Sequence, residues 1–338
     1  WMTEYHIDGF RFDLAGIIDW ETVDMIKEEA QKINPNVVLI AEPWGGKYAP
    51  EGFSEHGWSS WNDKFRNGFK GYDPHNQKGF IFGEMGSKSR YEIENLIRGT
   101  LKNHESGLFQ HSSHSVNYLE SHDGYTLGDY IRIALDREKG DQTFTNRSSL
   151  TILNSQELKI AKLAAFILLV SQGITMLHAG QEWARSKVVQ DPRKVDPERG
   201  MIDRDSYNKD DDTNWLNFNE ISLNRSLFNY YKGLIKLKLK SPAFRKANAN
   251  DIHFKVYDDP LHVTFSIDGK SSGDMYDYFV SLNANDNMEH EIILPGGYWE
   301  IVVDQERSGF HTLHSVRDSL MIPPSSSVIL RKLRVRNA

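Results

Sequence analysis

The 338-residue chain contains no cysteine. That removes a disulfide framework, a thiolate zinc site and a thiol nucleophile from consideration, and it leaves the redox compartment open. Long apolar runs are also missing. The longest, LAAFILLV at 163–170, falls far short of the ~20 residues a membrane span needs and reads as a buried helix. The first residues, WMTEYHIDGF, carry none of the basic region, apolar stretch and small-residue cleavage site of a signal peptide. No basic run stands out, and the formal net charge is −7. This disfavours nucleic acid, whose phosphates are met by clustered Lys and Arg, and a neutral polar substrate fits better. There is no internal repeat and no low-complexity segment. What is present is ordinary for a globular chain: 39% hydrophobic and 26% charged residues, with length for one large core or a barrel plus a small appended domain.

Strand-like runs alternate with helical patterns over the first 245 or so residues. YHIDGFRF is followed by a helix opening at Asp19, with Val23, Ile26, Ala30 and Ile33 on one face. VVLIA at 37–41 is a short continuous apolar strand of the kind buried on both sides in a parallel sheet. Ser89 and Glu92 form a capping-box pattern ahead of Ile93, Leu96, Ile97 and Leu101. SVNYLES at 115–121 reads as a strand, 156–171 as a helix, GITMLHAG at 173–180 as a strand, and Asn224 precedes a last amphipathic helix. Strand then helix, repeated, means a parallel sheet or barrel. Beyond about residue 250 the pattern changes to short alternating runs separated by turn residues, KSSGD at 270–274 among them. This predicts a small all-β domain, with boundaries at 1–248 and 249–338.

Three acids, Asp13, Glu42 and Asp123, each fall at the C-terminal end of a predicted strand. In a parallel barrel such ends gather on one face, where active sites of that architecture lie. Side chains alternate along a strand, so Arg11 and Asp13 point to one side, and Phe10 and Phe12 to the helices. A cation beside Asp13 is expected to keep it ionised. Taken singly, each acid has an ordinary reading. Arg11 and Asp13 could be a structural ion pair, Glu42 a loop cap, Asp123 an Asx-turn residue before Gly124, and His122 a satisfied loop histidine. Their joint recurrence at strand ends favours chemistry.

Acetal hydrolysis needs two carboxyl groups in unlike environments, one anionic to attack the anomeric carbon and one protonated to serve the leaving oxygen. Asp13 fits the first role. Glu42, followed by Pro43 and Trp44, fits the second, because an apolar setting raises a carboxyl pKa. The loop after Glu42 supplies Trp44, Tyr48, Phe53, Trp58 and Trp61, flat faces that could stack on pyranose rings or pack the loop's own core.

HIDGFRFD, LIAEPW and VNYLESHDGYTL, in that order and with a helix or more between them, resemble regions two, three and four of the alpha-amylase family, glycoside hydrolase family 13. The resemblance implies a (β/α)8 barrel with Asp13 as nucleophile, Glu42 as general acid/base and Asp123 as the acid that holds the distorted sugar. Arg11 and His122 fall on the family's remaining contacts in those regions. GFRFDLAGI and AEPWG look like the pullulanase, isoamylase and glycogen-debranching branch. Leu14, Ala15 and Gly16 stand where many alpha-amylases carry a Lys-His pair. YNKDDDTNWLNF at 207–218 is similar to a debranching-type loop after the last barrel strand, with Asp210 at its first acid. The likeness covers essentially the whole chain, including a C-terminal β-sandwich.

The expected activity is retaining hydrolysis of α-glucans at α-1,6 branch points, with no cofactor required. The alternatives are a branching-type transglycosylase, an α-1,4-acting amylase and a non-catalytic family member. Trp44, Tyr48 and Asp210 join Arg11 and His122 as candidate substrate contacts. The run Asp210 to Asp212 offers few of the roughly 6 to 8 oxygens that calcium takes, so a solvated loop is favoured over a calcium site. The family's first region, an Asp and an Asn-His pair on the third strand, has no counterpart. Strands are expected to end at Asp13, Glu42, within Lys64 to Phe69, at Ser121 and at Leu177, five of the eight a closed barrel has. They would be strands four to eight, and the N-terminal part of the same protein is then an expected partner.

Overall fold

The computed structural model describes residues 1–334 apart from 139–142, 145, 190–199 and 210. The chain divides into two compact units. One comprises Trp1–Phe65, Arg90–Tyr118 and Ser171–Met176, and the other Arg66–Ser89, Leu119–Val170 and Leu177–Ala338.

The first unit is built on five parallel strands in sequential order: β1 (Gly9–Phe12), β2 (Val38–Ala41), β3 (Ser59–Asn62), β4 (Ser115–Asn117) and β5 (Ile174–Thr175). The sheet is open, with β1 and β5 at its edges. β1 and β2 run in register from Gly9 opposite Val38 to Phe12 opposite Ala41. A Cβ at Gly9 would lie 2.4 Å from the Val38 carbonyl oxygen, so this close approach requires glycine. Helix α1 (Trp20–Ile33) begins where Asp19 caps it, its Oδ1 accepting from the Thr22 backbone N at 2.9 Å. It ends at Asn34, the residue before Pro35, where the α conformation is disfavoured. Its Val23 packs with Leu39, Ala41, Phe53 and Trp58, and Phe10 and Phe12 lie against this cluster as the alternation predicts. The apolar stripe stops short of its expected end, since Ile33 is 55% exposed.

The third strand is not at Lys64 to Phe69. That segment lies within a helix, Asp63–Phe69, and the strand is Ser59–Asn62 before it. Asn62 explains both facts. Its Oδ1 accepts from the Phe65 N at 3.0 Å and starts the helix, while Phe65 and Phe69, four apart, are fully buried. Its Nδ2 donates to Thr100 Oγ1 at 2.7 Å and to Ser115 Oγ at 2.9 Å. Ser115 Oγ donates to Asn117 Oδ1 at 2.8 Å, and Asn117 Nδ2 to the Gln172 carbonyl at 2.8 Å. This buried polar ladder links β3, β4 and the residues just before β5. It satisfies groups whose burial would otherwise cost ~1–3 kcal/mol each. β4 and β5 are also shorter than the runs 115–121 and 173–180 suggest.

In the second unit, helices Leu127–Ala134, Ser155–Val170 and Arg225–Lys240 precede eight strands between Ile252 and Leu333. Six of those strands form one antiparallel sheet. Two others, His290–Ile293 and Ser319–Ile322, form a second, and the two share a core of Phe279, Ile292, Trp299, Ile301, Ile322 and Leu330. The turn at 270–274 joins strands His262–Ile267 and Tyr276–Asn283 as expected. Among the described residues no helix is long and apolar enough to cross a membrane.

Candidate active site

β1 ends at Phe12 and the chain leaves the sheet through Asp13. Leu14 adopts the left-handed conformation (φ 44°) and starts a 3-10 turn at Ala15–Ile17. The segment after β2 fixes this turn from the side. Glu42 N donates to the Phe12 carbonyl at 3.0 Å, Ala15 N to the Glu42 carbonyl at 2.9 Å, and Gly16 N to the Trp44 carbonyl at 3.0 Å. Two glycines permit the approach. A Cβ on Gly45, at φ 99°, would sit 2.8 Å from Leu14 Cβ, and one on Gly16 would sit 2.8 Å from the Trp44 carbonyl oxygen.

Arg11 joins the two carboxylates. Its Nη1 lies 2.7 Å from Asp13 Oδ1 and its Nη2 2.6 Å from Glu42 Oε1, a forked arrangement only a guanidinium can make. Its Cζ sits 4.8 Å from the centre of the Trp61 ring, and Trp61 is packed with Trp44 and Tyr118. The environments of the two acids differ. The Asp13 side chain is 69% exposed, whereas Glu42 is 2% exposed. Burial pushes the Glu42 carboxyl above its ordinary pKa, and the neighbouring Asp13 adds to this. The Leu14 N–H, donating to Glu42 Oε2 at 2.8 Å, and Arg11 pull the other way without cancelling the rise. The result is an open carboxyl group beside an enclosed one that holds its proton more tightly, the division acetal chemistry uses.

The loop aromatics divide in the same physical terms. Phe53 and Trp58 are fully buried and Trp61 nearly so. They are core and do not offer the stacking faces that the loop's composition allowed. Trp44 is partly buried, and Tyr48 is 43% exposed with its hydroxyl bonded to Asp63.

His122 and Asp123 belong to the second unit. His122 Nε2 is 3.5 Å from Asp123 Oδ1, and both side chains are accessible. Ser121 Oγ bridges the turn, donating to the Asp123 carbonyl at 3.2 Å and accepting from its N–H at 3.3 Å, before Gly124 at φ 75°. Asp123 opens onto a cavity of about 260 Å³ that Lys70, Tyr125, Tyr130 and Arg204 help to line. Asp210 lies outside the described residues. The sequence reading passed over Glu120, which is buried and accepts from Leu127 N at 2.8 Å while pairing with His178 Nδ1 at 2.7 Å. Its one signal was a charged residue inside an otherwise strand-like run.

No protein-family model matches the chain. Over 262 residues it is 31% identical to the pullulanase of Bacillus subtilis, an alignment that takes in 75% of the chain and 33% of that protein. The chain belongs to the pullulanase and isoamylase branch of the alpha-amylase family. It is also 26% identical over 349 residues to chloroplastic isoamylase 3 of Oryza sativa, covering 90% of the chain and 40% of the relative. Among solved structures, the type I pullulanase of Bacillus subtilis, complexed with maltose, superposes with a TM-score of 0.80 at 26% identity over 99% of the chain and 45% of that structure. The chain thus spans a third to under half of the length of these relatives. For a member of the pullulanase branch, the Arg11 fork is the feature that ties sequence motif to chemistry. It holds Asp13 within HIDGFRFD and reaches Glu42 in LIAEPW, 31 positions further along the chain, with two bonds shorter than 2.8 Å.

Proposed function

We propose that this chain carries the catalytic machinery of a retaining α-glucan hydrolase of the debranching type, acting on α-1,6 branch linkages. Asp13 attacks the anomeric carbon while Glu42 gives its proton to the departing glycosidic oxygen. Glu42 then takes a proton from water, the water oxygen bonds to the same carbon, and the Asp13 ester bond breaks to return the carboxylate. Asp123, with His122 beside it, binds the flattened sugar most tightly in the transition state. Trp44 and Tyr48 are the sugar-facing rings, and Asp210 is assigned a contact by motif position alone. The five parallel strands are read as strands four to eight of a (β/α)8 barrel within residues 1–248, followed by a β-sandwich at 249–338.

The observation that carries this reading is the Arg11 fork between an exposed Asp13 and a buried Glu42 of raised pKa. Kinship with pullulanases and isoamylases supports the branch-point linkage, and the maltose in the Bacillus subtilis structure supports an α-glucan substrate. Asp13→Asn and Glu42→Gln, each made in the intact protein, should lower kcat on pullulan by at least ~10³-fold with an unchanged circular dichroism spectrum, because each removes half of the double displacement. Proton NMR of fresh product should show the α anomer. Near wild-type rates in either variant, or faster release of sugar from linear amylose than from pullulan, would overturn the proposal.

A further inference from the structure

Lys187 is a charged side chain in a place where charge is costly. It is 1% exposed, and burial, with Arg185 adding to it, disfavours its ammonium form against the opposing pull of Glu120, Asp129 and Asp203. What holds it there is specific. Its Nζ donates to the His122 carbonyl at 3.1 Å, and its backbone N donates to Asp129 Oδ2 at 2.9 Å.

The strand of chain that carries Lys187 is fastened along its length. Arg132 Nη2 donates to the Ala184 carbonyl at 2.8 Å, Thr126 Oγ1 donates to the Arg185 carbonyl at 2.7 Å, and the Asp203 N donates to the Lys187 carbonyl at 2.8 Å. Thr126 and Asp129 in turn open the helix Leu127–Ala134, which starts directly after the His122–Asp123 turn. The turn is therefore held at its base by Glu120, which accepts from Leu127 N, and at its crest by Lys187. Asp123 and Gly124 lie just beyond that crest, with Asp123 at the cavity. A carboxylate that must meet a sugar only in the transition state has to be fixed before the sugar arrives.

We propose that Lys187 is a positioning residue that sets the His122–Asp123 turn by gripping the His122 carbonyl from the far side. This rests on the assignment of Asp123 as the acid that binds the distorted sugar. In terms of binding, Lys187 touches no substrate. Its loss should leave ground-state affinity alone and weaken affinity for transition-state-like ligands.

The test uses the intact protein with Lys187→Met, which keeps the aliphatic stem and removes the donor, and Lys187→Gln, which keeps a shorter donor. Asp123→Asn serves as reference. Two probes are titrated calorimetrically: maltotriose, and an iminosugar of the deoxynojirimycin type, whose ring ammonium resembles the positive charge that develops on the sugar in the transition state. Expected for Lys187→Met is a kcat on pullulan lowered by about 10- to 100-fold with KM within about 3-fold. The ratio of iminosugar to maltotriose dissociation constants should rise at least ~10-fold, with Lys187→Gln in between. The ratio is taken on binding-competent protein, so partial misfolding does not alter it. If both ligands weaken together, or neither does, while Asp123→Asn shows the selective loss, Lys187 does not position the turn. If Asp123→Asn itself keeps full activity and iminosugar affinity, the reading of Asp123 fails instead.

Discussion

The change Arg132→Met tests how the second unit holds the turn that bears Asp123. Arg132 is fully buried. Its Nη1 pairs with Asp129 Oδ1 at 3.2 Å, and its Nη2 donates to the carbonyls of Thr151 at 2.7 Å and Ala184 at 2.8 Å. Methionine fills much of the same volume but leaves Asp129 as a buried anion held by the Lys187 N–H. Breaking a buried pair from one side costs ~3–5 kcal/mol, and each stranded carbonyl adds up to ~1–3 kcal/mol before relaxation. Because these losses overlap, the expected total is about 4–6 kcal/mol. In urea, with an m-value of about 3 kcal/mol/M, that moves the unfolding midpoint down by roughly 1–2 M. Tryptophan fluorescence and far-ultraviolet circular dichroism of the intact protein report it. The double change Asp129→Leu with Arg132→Met should be milder than Arg132→Met alone, since it removes the uncompensated charge. A loss under ~1 kcal/mol in the single variant, or a double variant worse than the single, would refute the reasoning.

Other outcomes follow from the first unit. Arg11 opposes the rise in the Glu42 pKa, so Arg11→Met should move the alkaline limb of the pH profile of kcat/KM upward, while lowering its plateau; a downward move contradicts the assignment of Glu42 as the proton donor. The folded-state pKa of Glu42 lies above its unfolded value, so the stability linked to its proton is present at low pH and lost as pH rises through the folded pKa. Glu42→Gln should therefore gain thermal stability relative to wild type as the pH is raised from 5 to 8, read as the difference in melting temperature at the two ends; a relative loss contradicts the raised pKa. Gly45→Ala forces φ 99° on a residue with a Cβ placed 2.8 Å from Leu14 Cβ. It should cost about 1–3 kcal/mol in urea unfolding and depress kcat, because Leu14 N also supports Glu42.

The strand-end positions of Asp13 and Glu42 were legible because each ends a short apolar run, and a parallel sheet sends the ends of its strands to one side. That Arg11 grips both was not, since the bond to Glu42 is a tertiary contact across 31 residues and local spacing speaks only for Asp13. β3 was misplaced for a related reason: SSWN looks like a loop until its Asn62 finds Thr100 and Ser115, partners that no local pattern announces. Aromatic content of the loop after Glu42 was plain, but residue type does not say which way a ring faces, and Phe53 and Trp58 turned inward. In the β-domain, His314–Val316 and Ser319–Ile322 are separated by a two-residue turn with Asp318 at φ 67°, too short for the alternation to register as two strands. Lys187 gave no signal because a lysine in ARSK reads as solvent-facing.

The Asn62, Ser115 and Asn117 ladder has a meaning beyond satisfied hydrogen bonds. β4 and β5 are three and two residues long, so apolar alternation carries almost no information about which strand belongs beside which. A buried amide that must find its hydroxyl and carbonyl partners on the neighbouring segments supplies that information, much as a single core asparagine fixes partner and alignment in a coiled coil. The ladder then acts as an address shared by three distant segments of sequence. Divergence at any one of the three should be accompanied by change at the others, and a designed swap of all three for well-packed apolar residues should keep the fold's stability while loosening its choice of neighbours.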